Sequence, residues 1–142
     1  MRSILADTSV LIKWFHAENE SELAQARELR TAHLTGRIEV RYLDLARYEL
    51  GNVLLRALKW PAARVADQLD DLVAICAAPI SPTVEWLRDA TTLGARHNLT
   101  FYDATWAASA RALGVTLVSA DRKLLGAGLA ESATSAVGRL LS

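Results

Sequence analysis

Ser3 to Ala6 is a short, mostly apolar run near the start of the chain, and its length suits a buried strand better than a helix. Asp7 follows at once, then Thr8 and Ser9, then a second apolar run through Val10, Leu11, Ile12 and Trp14. The stretch reads as strand, acidic residue, helix start. In an open parallel sheet, ligands gather outside the carboxyl ends of the strands. Asp7 is expected to stand there.

The rest of the chain repeats the alternation. Val10 to Phe15 reads as a short helix, and Glu18 to Leu34 as a longer polar one stopped by Gly36. Ile38 to Val40 suits a second strand. Leu43 to Trp60 is amphipathic, with Ala46, Leu50, Val53, Leu54, Ala57 and Leu58 in its apolar stripe. Pro61 ends it and suits the first turn of the next helix, from Ala62 to about Val73. Ala74 to Ile80 is a small-residue run read as a third strand. Pro82-Thr83 opens a helix that closes near His97-Asn98, and Thr100 to Leu113 forms another, stopped by Gly114. Val115 to Val118 is β-branched and apolar, the clearest buried strand after the first. The Ser/Ala-rich tail suggests a weak edge strand around Ala136. Strands alternating with helices predict an α/β fold with a parallel sheet covered on both faces.

With 142 residues there is enough chain for one domain spanning 1–142 and too little for two. The net charge of zero gives no global field to recruit nucleic acid. Arg far outnumbers Lys, through compositional bias or because planar guanidinium groups suit phosphate and carboxylate. Cys76 is the only cysteine, which excludes an internal disulfide and a cysteine-based zinc site. Asp7 and Lys13 interrupt the opening apolar run, so no signal-peptide pattern is expected. No apolar stretch has the length to cross a membrane. A reducing, cytoplasmic location is the expected setting.

Most acidic residues fall on polar helix faces, but four do not. Asp7 and Asp121 each follow an apolar strand, Glu49 borders the apolar stripe of its helix, and Asp103 opens TFYDATWAASARAL on the face of Trp106, Ala107 and Ala110. Each has a structural alternative. Asp7 and Asp121 are good helix N-caps. Glu49 can reach water or pair with Arg47 or Arg56. Thr100 and Asp103 fit a capping box. Together, however, a doubly wound fold brings all four to one edge. Clustered carboxylates raise one another's pKa, and a hard divalent cation relieves that conflict. Mg²⁺ or Mn²⁺ suits an all-oxygen site, whereas His16, His33 and His97 show no ligand spacing. Such an ion is suited to phosphoryl chemistry.

Asp7-Thr8-Ser9, Tyr48-Glu49-Leu50-Gly51-Asn52-Val53-Leu54, Phe101-Tyr102-Asp103-Ala104 and Ser119-Ala120-Asp121 resemble, in order and spacing, the acidic motifs of PIN-domain ribonucleases. The small size and near-complete coverage look most like VapC-type toxins of toxin–antitoxin pairs. The resemblance implies a three-layer α/β/α sandwich with a short, mostly parallel sheet, and metal-dependent endoribonuclease activity. It maps Asp7, Glu49, Asp103 and Asp121 to a Mg²⁺ (or Mn²⁺) site. Ser9 and Ser119 take the places of the family's small hydroxyl residues, Ser119 where threonine is common. It also implies homodimers and a cognate antitoxin. The segment after Asp121 matches only loosely.

Lys13, Arg47, Arg122 and Lys123 lie near these motifs and are candidates to touch RNA phosphates, with solvated surface charge as their alternative. Trp14 and Phe15 suit core packing, with base stacking as the alternative. A phosphatase of the haloacid dehalogenase type also begins with a strand and an aspartate, but it needs a second aspartate where Ser9 stands, and a cap or longer chain. A PIN-like module that only binds RNA or protein is the remaining rival. Carboxylates repel RNA unless a metal intervenes, so the intact quartet argues against it.

Overall fold

The computed structural model describes residues 2–142. Strand β1 (Arg2–Ala6) is the centre of a three-stranded sheet in the order β2-β1-β3, where β2 is Ile38–Arg41 and β3 is Thr116–Val118. Both pairings are parallel, with Ile4 opposite Val40 on one side and Leu5 opposite Leu117 on the other. Ile4, Leu5 and Ala6 are fully buried, as a strand covered on both faces requires.

Helices cover both faces in a three-layer α/β/α sandwich. After β1 comes α1 (Thr8–Leu11), continued by a 3₁₀ turn over Ile12–Trp14, then α2 (Leu23–Leu34), which lies against β2 and α8 (Ala133–Leu141). Helix α3 (Leu45–Asn52) runs on as a π-helical turn over Val53–Ala57 and packs against α4 (Ala62–Cys76). Helices α5 (Val84–His97) and α6 (Phe101–Leu113) form the closest helix pair. Gly94 permits that approach, because a Cβ there would sit 3.4 Å from the Leu99 carbonyl oxygen and 3.5 Å from the Ala104 methyl. Between β3 and α8 lies the short α7 (Arg122–Gly126).

Three sequence expectations change. The helix expected from Glu18 begins at Leu23, because Asn19 and Glu22 turn the chain with φ of 60° and 52°. The strand expected over 74–80 is not formed: α4 continues to Cys76, Ala77 breaks it at φ 63°, and only Ile80 bridges to Leu43. The tail is helical around Ala136, with Ser132 capping α8 by accepting from the Ser135 N–H at 3.1 Å. The edge contact lies earlier, where Glu131 bridges Val118. Among the described residues, no helix is long and apolar enough to cross a membrane.

Candidate functional site

Three parallel strands end on one edge, so β1 and β3 deliver Asp7 and Ser119 side by side. The Asp7 N–H donates to the Val118 carbonyl at 3.1 Å, which fixes that register. Asp7 is the N-cap of α1, and its Oδ1 accepts from the Ser9 N–H at 3.1 Å and from the Ser9 hydroxyl. The Ser9 Oγ in turn accepts from the Ala120 N–H at 2.8 Å and lies 3.4 Å from the Ser119 Oγ. The Ser119 Oγ accepts from the Asp121 N–H at 2.9 Å. Two hydroxyls therefore lace the ends of β1 and β3 together beneath the carboxylates.

Asp7 is 3% exposed. Burial pushes its carboxyl up to about 6, against the pull of the Ser119 and Ser9 hydroxyls and the Val10 N–H, and the charge of Glu49 pushes the same way as burial. Glu49, half-buried on α3, accepts on Oε1 from the Thr8 hydroxyl at 2.9 Å and from the Trp106 indole N–H at 3.0 Å. It therefore bridges α1 and α6. Among the described residues no cation pairs with it, Arg47 and Arg56 included.

Thr100 caps α6 by accepting from the Asp103 N–H at 3.1 Å. The Asp103 carboxyl is nonetheless raised, first by desolvation and then by the charge of Asp121, while Thr100 and Lys123 pull it down. Asp121 caps α7 through Oδ1, which accepts from the Leu124 N–H at 3.0 Å. The capping alternatives for Asp7 and Asp121 are thus present in the fold. They occupy one oxygen and leave the carboxylates at the sheet edge.

The quartet forms two electrostatically coupled pairs, Asp7 with Glu49 and Asp103 with Asp121. Among the described residues, no three His, Cys, Asp or Glu side chains stand close enough together to hold an ion directly. The candidate donors are all oxygen, and among the described residues none of them is in a salt bridge. That fits a hard ion that keeps several waters better than one needing a closed protein cage.

The basic candidates separate. Lys13 is 4% exposed, and its ammonium donates to the Ser21 carbonyl at 2.6 Å and lies 3.7 Å from Glu20. The chain's own groups take up its charge, which leaves it unsuited to RNA. Arg122 and Lys123 are exposed beside Asp121, and Arg47 is half-buried with its Nε–H lacking an acceptor. Trp14 is a core residue whose indole N–H donates to the Ala26 carbonyl at 2.8 Å. From the sequence, Thr8 is expected only as an alternative helix cap and Trp106 only as an inward-packing residue, yet both bond Glu49. Their positions, directly after Asp7 and three residues after Asp103, were the available signal.

Residues 4–128 match the family described as the PIN domain. Ribonuclease VapC3 from Pyrobaculum aerophilum is 31% identical over 130 residues, covering 85% of this chain and 91% of that protein. Among solved structures, a crystal structure of a Pyrobaculum aerophilum protein is similar with a TM-score of 0.72 and 24% identity, over 98% of this chain and 89% of that one. A toxin–antitoxin complex from Klebsiella pneumoniae is similar with a TM-score of 0.62 and 14% identity, over 92% of this chain and 97% of that one. At those identities the two structures support the fold.

Proposed function

Because the chain belongs to the PIN domain family, among its VapC-type members, we propose that it is a divalent-metal-dependent endoribonuclease acting as the toxin of a toxin–antitoxin pair. The observation that supports this reading is the pairing of Asp7 with Glu49 and of Asp103 with Asp121, carboxylates whose repulsion no salt bridge among the described residues relieves. Asp7, Asp103, Glu49 and Asp121 would hold Mg²⁺ (or Mn²⁺), directly or through water. Such an ion, when bound, lowers the pKa of water and neutralises charge on a phosphate.

The chain's own groups do the positioning. Ser9 and Ser119 fix the Asp7 carboxylate, and Thr8 and Trp106 fix Glu49. Held in these bonds, the carboxylates keep their free oxygens aimed with little rotamer freedom to lose. One carboxylate orients the attacking water in line with the leaving 3′-oxygen and takes up its proton. Arg122 and Lys123 stand where an RNA phosphate meets Asp121. A cognate antitoxin that covers the acidic edge, homodimers and a cytoplasmic setting complete the proposal.

Asp7→Asn should abolish cleavage of RNA in the presence of Mg²⁺ while the far-ultraviolet circular dichroism stays that of the wild type. Cleavage by the variant at the wild-type rate overturns the assignment.

A further inference from the structure

The solvent-exposed aromatic rings of this molecule all belong to the acidic motifs. Tyr48, which precedes Glu49, is 71% exposed, and Phe101 and Tyr102, which precede Asp103, are 47% and 60% exposed. The remaining aromatic residues, Trp14, Phe15, Tyr42, Trp60, Trp86 and Trp106, are buried or half-buried.

The exposed rings edge two hollows, one between the start of α3 and helices α5 and α6, the other between α3 and α4. On the α6 side, Leu45, one turn before Glu49, lines a hollow of about 240 Å³ with Pro82, Leu87, Phe101 and Tyr102. On the α4 side, Tyr48 edges a second of about 290 Å³ with Arg47, Leu69 and Val73. Both are small beside ordinary ligand pockets, which suits one planar group each. Asp70 lines the second hollow as well, and the Arg47 Nε–H is buried without an acceptor. The chain's net charge is zero and the edge itself is acidic, so phosphate contacts supply little affinity. Stacking on aromatic rings does not depend on that charge.

Resting on the ribonuclease reading, we propose that Tyr48 and Tyr102 stack two unpaired bases, one on each side of the phosphate presented to the carboxylates. Bases inside a duplex have no free face to offer, so the two rings select single-stranded segments.

The test measures binding of a short fluorescein-labelled single-stranded RNA to the full chain carrying Asp7→Asn, which avoids cleavage during titration. Tyr48→Ala and Tyr102→Ala should each raise the Kd about 5- to 100-fold. Tyr→Trp at either position should restore it, and the same RNA annealed to its complement should bind no better than it does to the alanine variants. An unchanged Kd in both alanine variants, or equal binding of duplex and single strand, overturns the proposal. Sedimentation should give Tyr102→Ala the wild-type mass. A halved mass would make that ring a contact between copies and would overturn it too. The two readings fail separately. Binding through the rings without cleavage in Mg²⁺ or Mn²⁺ removes the nuclease and keeps the stacking. Cleavage with unchanged KM in both alanine variants does the reverse.

Discussion

Asp7 is held in a state that costs the fold stability. Its carboxyl stands at about 6 instead of the ordinary 3.8, because burial removes water from the charged form more than the Ser119 and Ser9 hydroxyls replace it. A raised carboxyl contributes stability that is full below the unfolded value of 3.8 and lost as the pH rises through about 6. At ~1.4 kcal/mol per pH unit, the difference amounts to about 3 kcal/mol. Asp7→Asn removes that charge and keeps an acceptor for Ser9. In metal-free buffer the variant should therefore melt above the wild type at pH 7.5, and the gap should close by pH 4. Glu131, held below its ordinary range by Arg139, loses its contribution on acidification in both proteins and so cancels in the difference. A gap that is independent of pH would mean that Asp7 is hydrated and not strained. The carboxylate was legible in the sequence because it follows a buried strand. The bonds that the Ser9 hydroxyl makes with Ser119 and Ala120 beneath it were not, because they join residues about 110 positions apart.

Elements were legible where a local signal and the tertiary environment agree. Thr100 and Thr83 cap α6 and α5, and Gly114 ends α6 at φ 67°. The sequence misled where they part. Ala74 to Ile80 is small and apolar, yet Ile75 and Cys76 stay helical because Val65, Leu69, Leu72 and Cys76 continue one stripe against the core. Around Ala136 the Ser/Ala composition hid a helix whose Ala133, Ala136 and Leu140 face inward. His33, a residue without ligand spacing, ties the end of α4 to the sheet together with the Tyr42 hydroxyl, which donates to the Ala77 carbonyl at 2.8 Å. The His33 Nδ1 accepts from the Val40 N–H at 3.0 Å, so its Nε2 carries the proton and donates to the Ile75 carbonyl at 2.7 Å. One imidazole thus joins α2, β2 and α4. His33→Ala leaves both backbone groups without that partner and should cost about 1–3 kcal/mol. Urea unfolding should show a lower midpoint with an unchanged slope. The acidic edge is built from other elements, so specific cleavage activity should persist. Loss of activity in a fully folded variant would place His33 in the site.

For the whole molecule, the all-parallel sheet order decides where charge collects. With β1 between β2 and β3, Asp7 and Asp121 follow strands that end on one edge although the chain is neutral overall, and Glu49 couples electrostatically to Asp7 as Asp103 does to Asp121. No local pattern reports how closely they approach, and no three of them among the described residues form a direct cage. An ion at this edge must bind the folded chain through repulsion it relieves, and the unfolded chain offers no such cluster. Mg²⁺ at a hundredfold excess over its Kd should then add about 2.7 kcal/mol of stability, a rise in midpoint of roughly 5–10 °C for a chain of this size. The rise should be larger at pH 7.5 than at pH 5, where protons compete for Asp7, and should be lost in Asp7→Asn. Chelation should reverse it. A midpoint indifferent to millimolar Mg²⁺ and Mn²⁺ would turn the same four carboxylates into an argument for a PIN domain that binds its partner without cutting. The acidic edge would then serve to meet a basic surface on another protein.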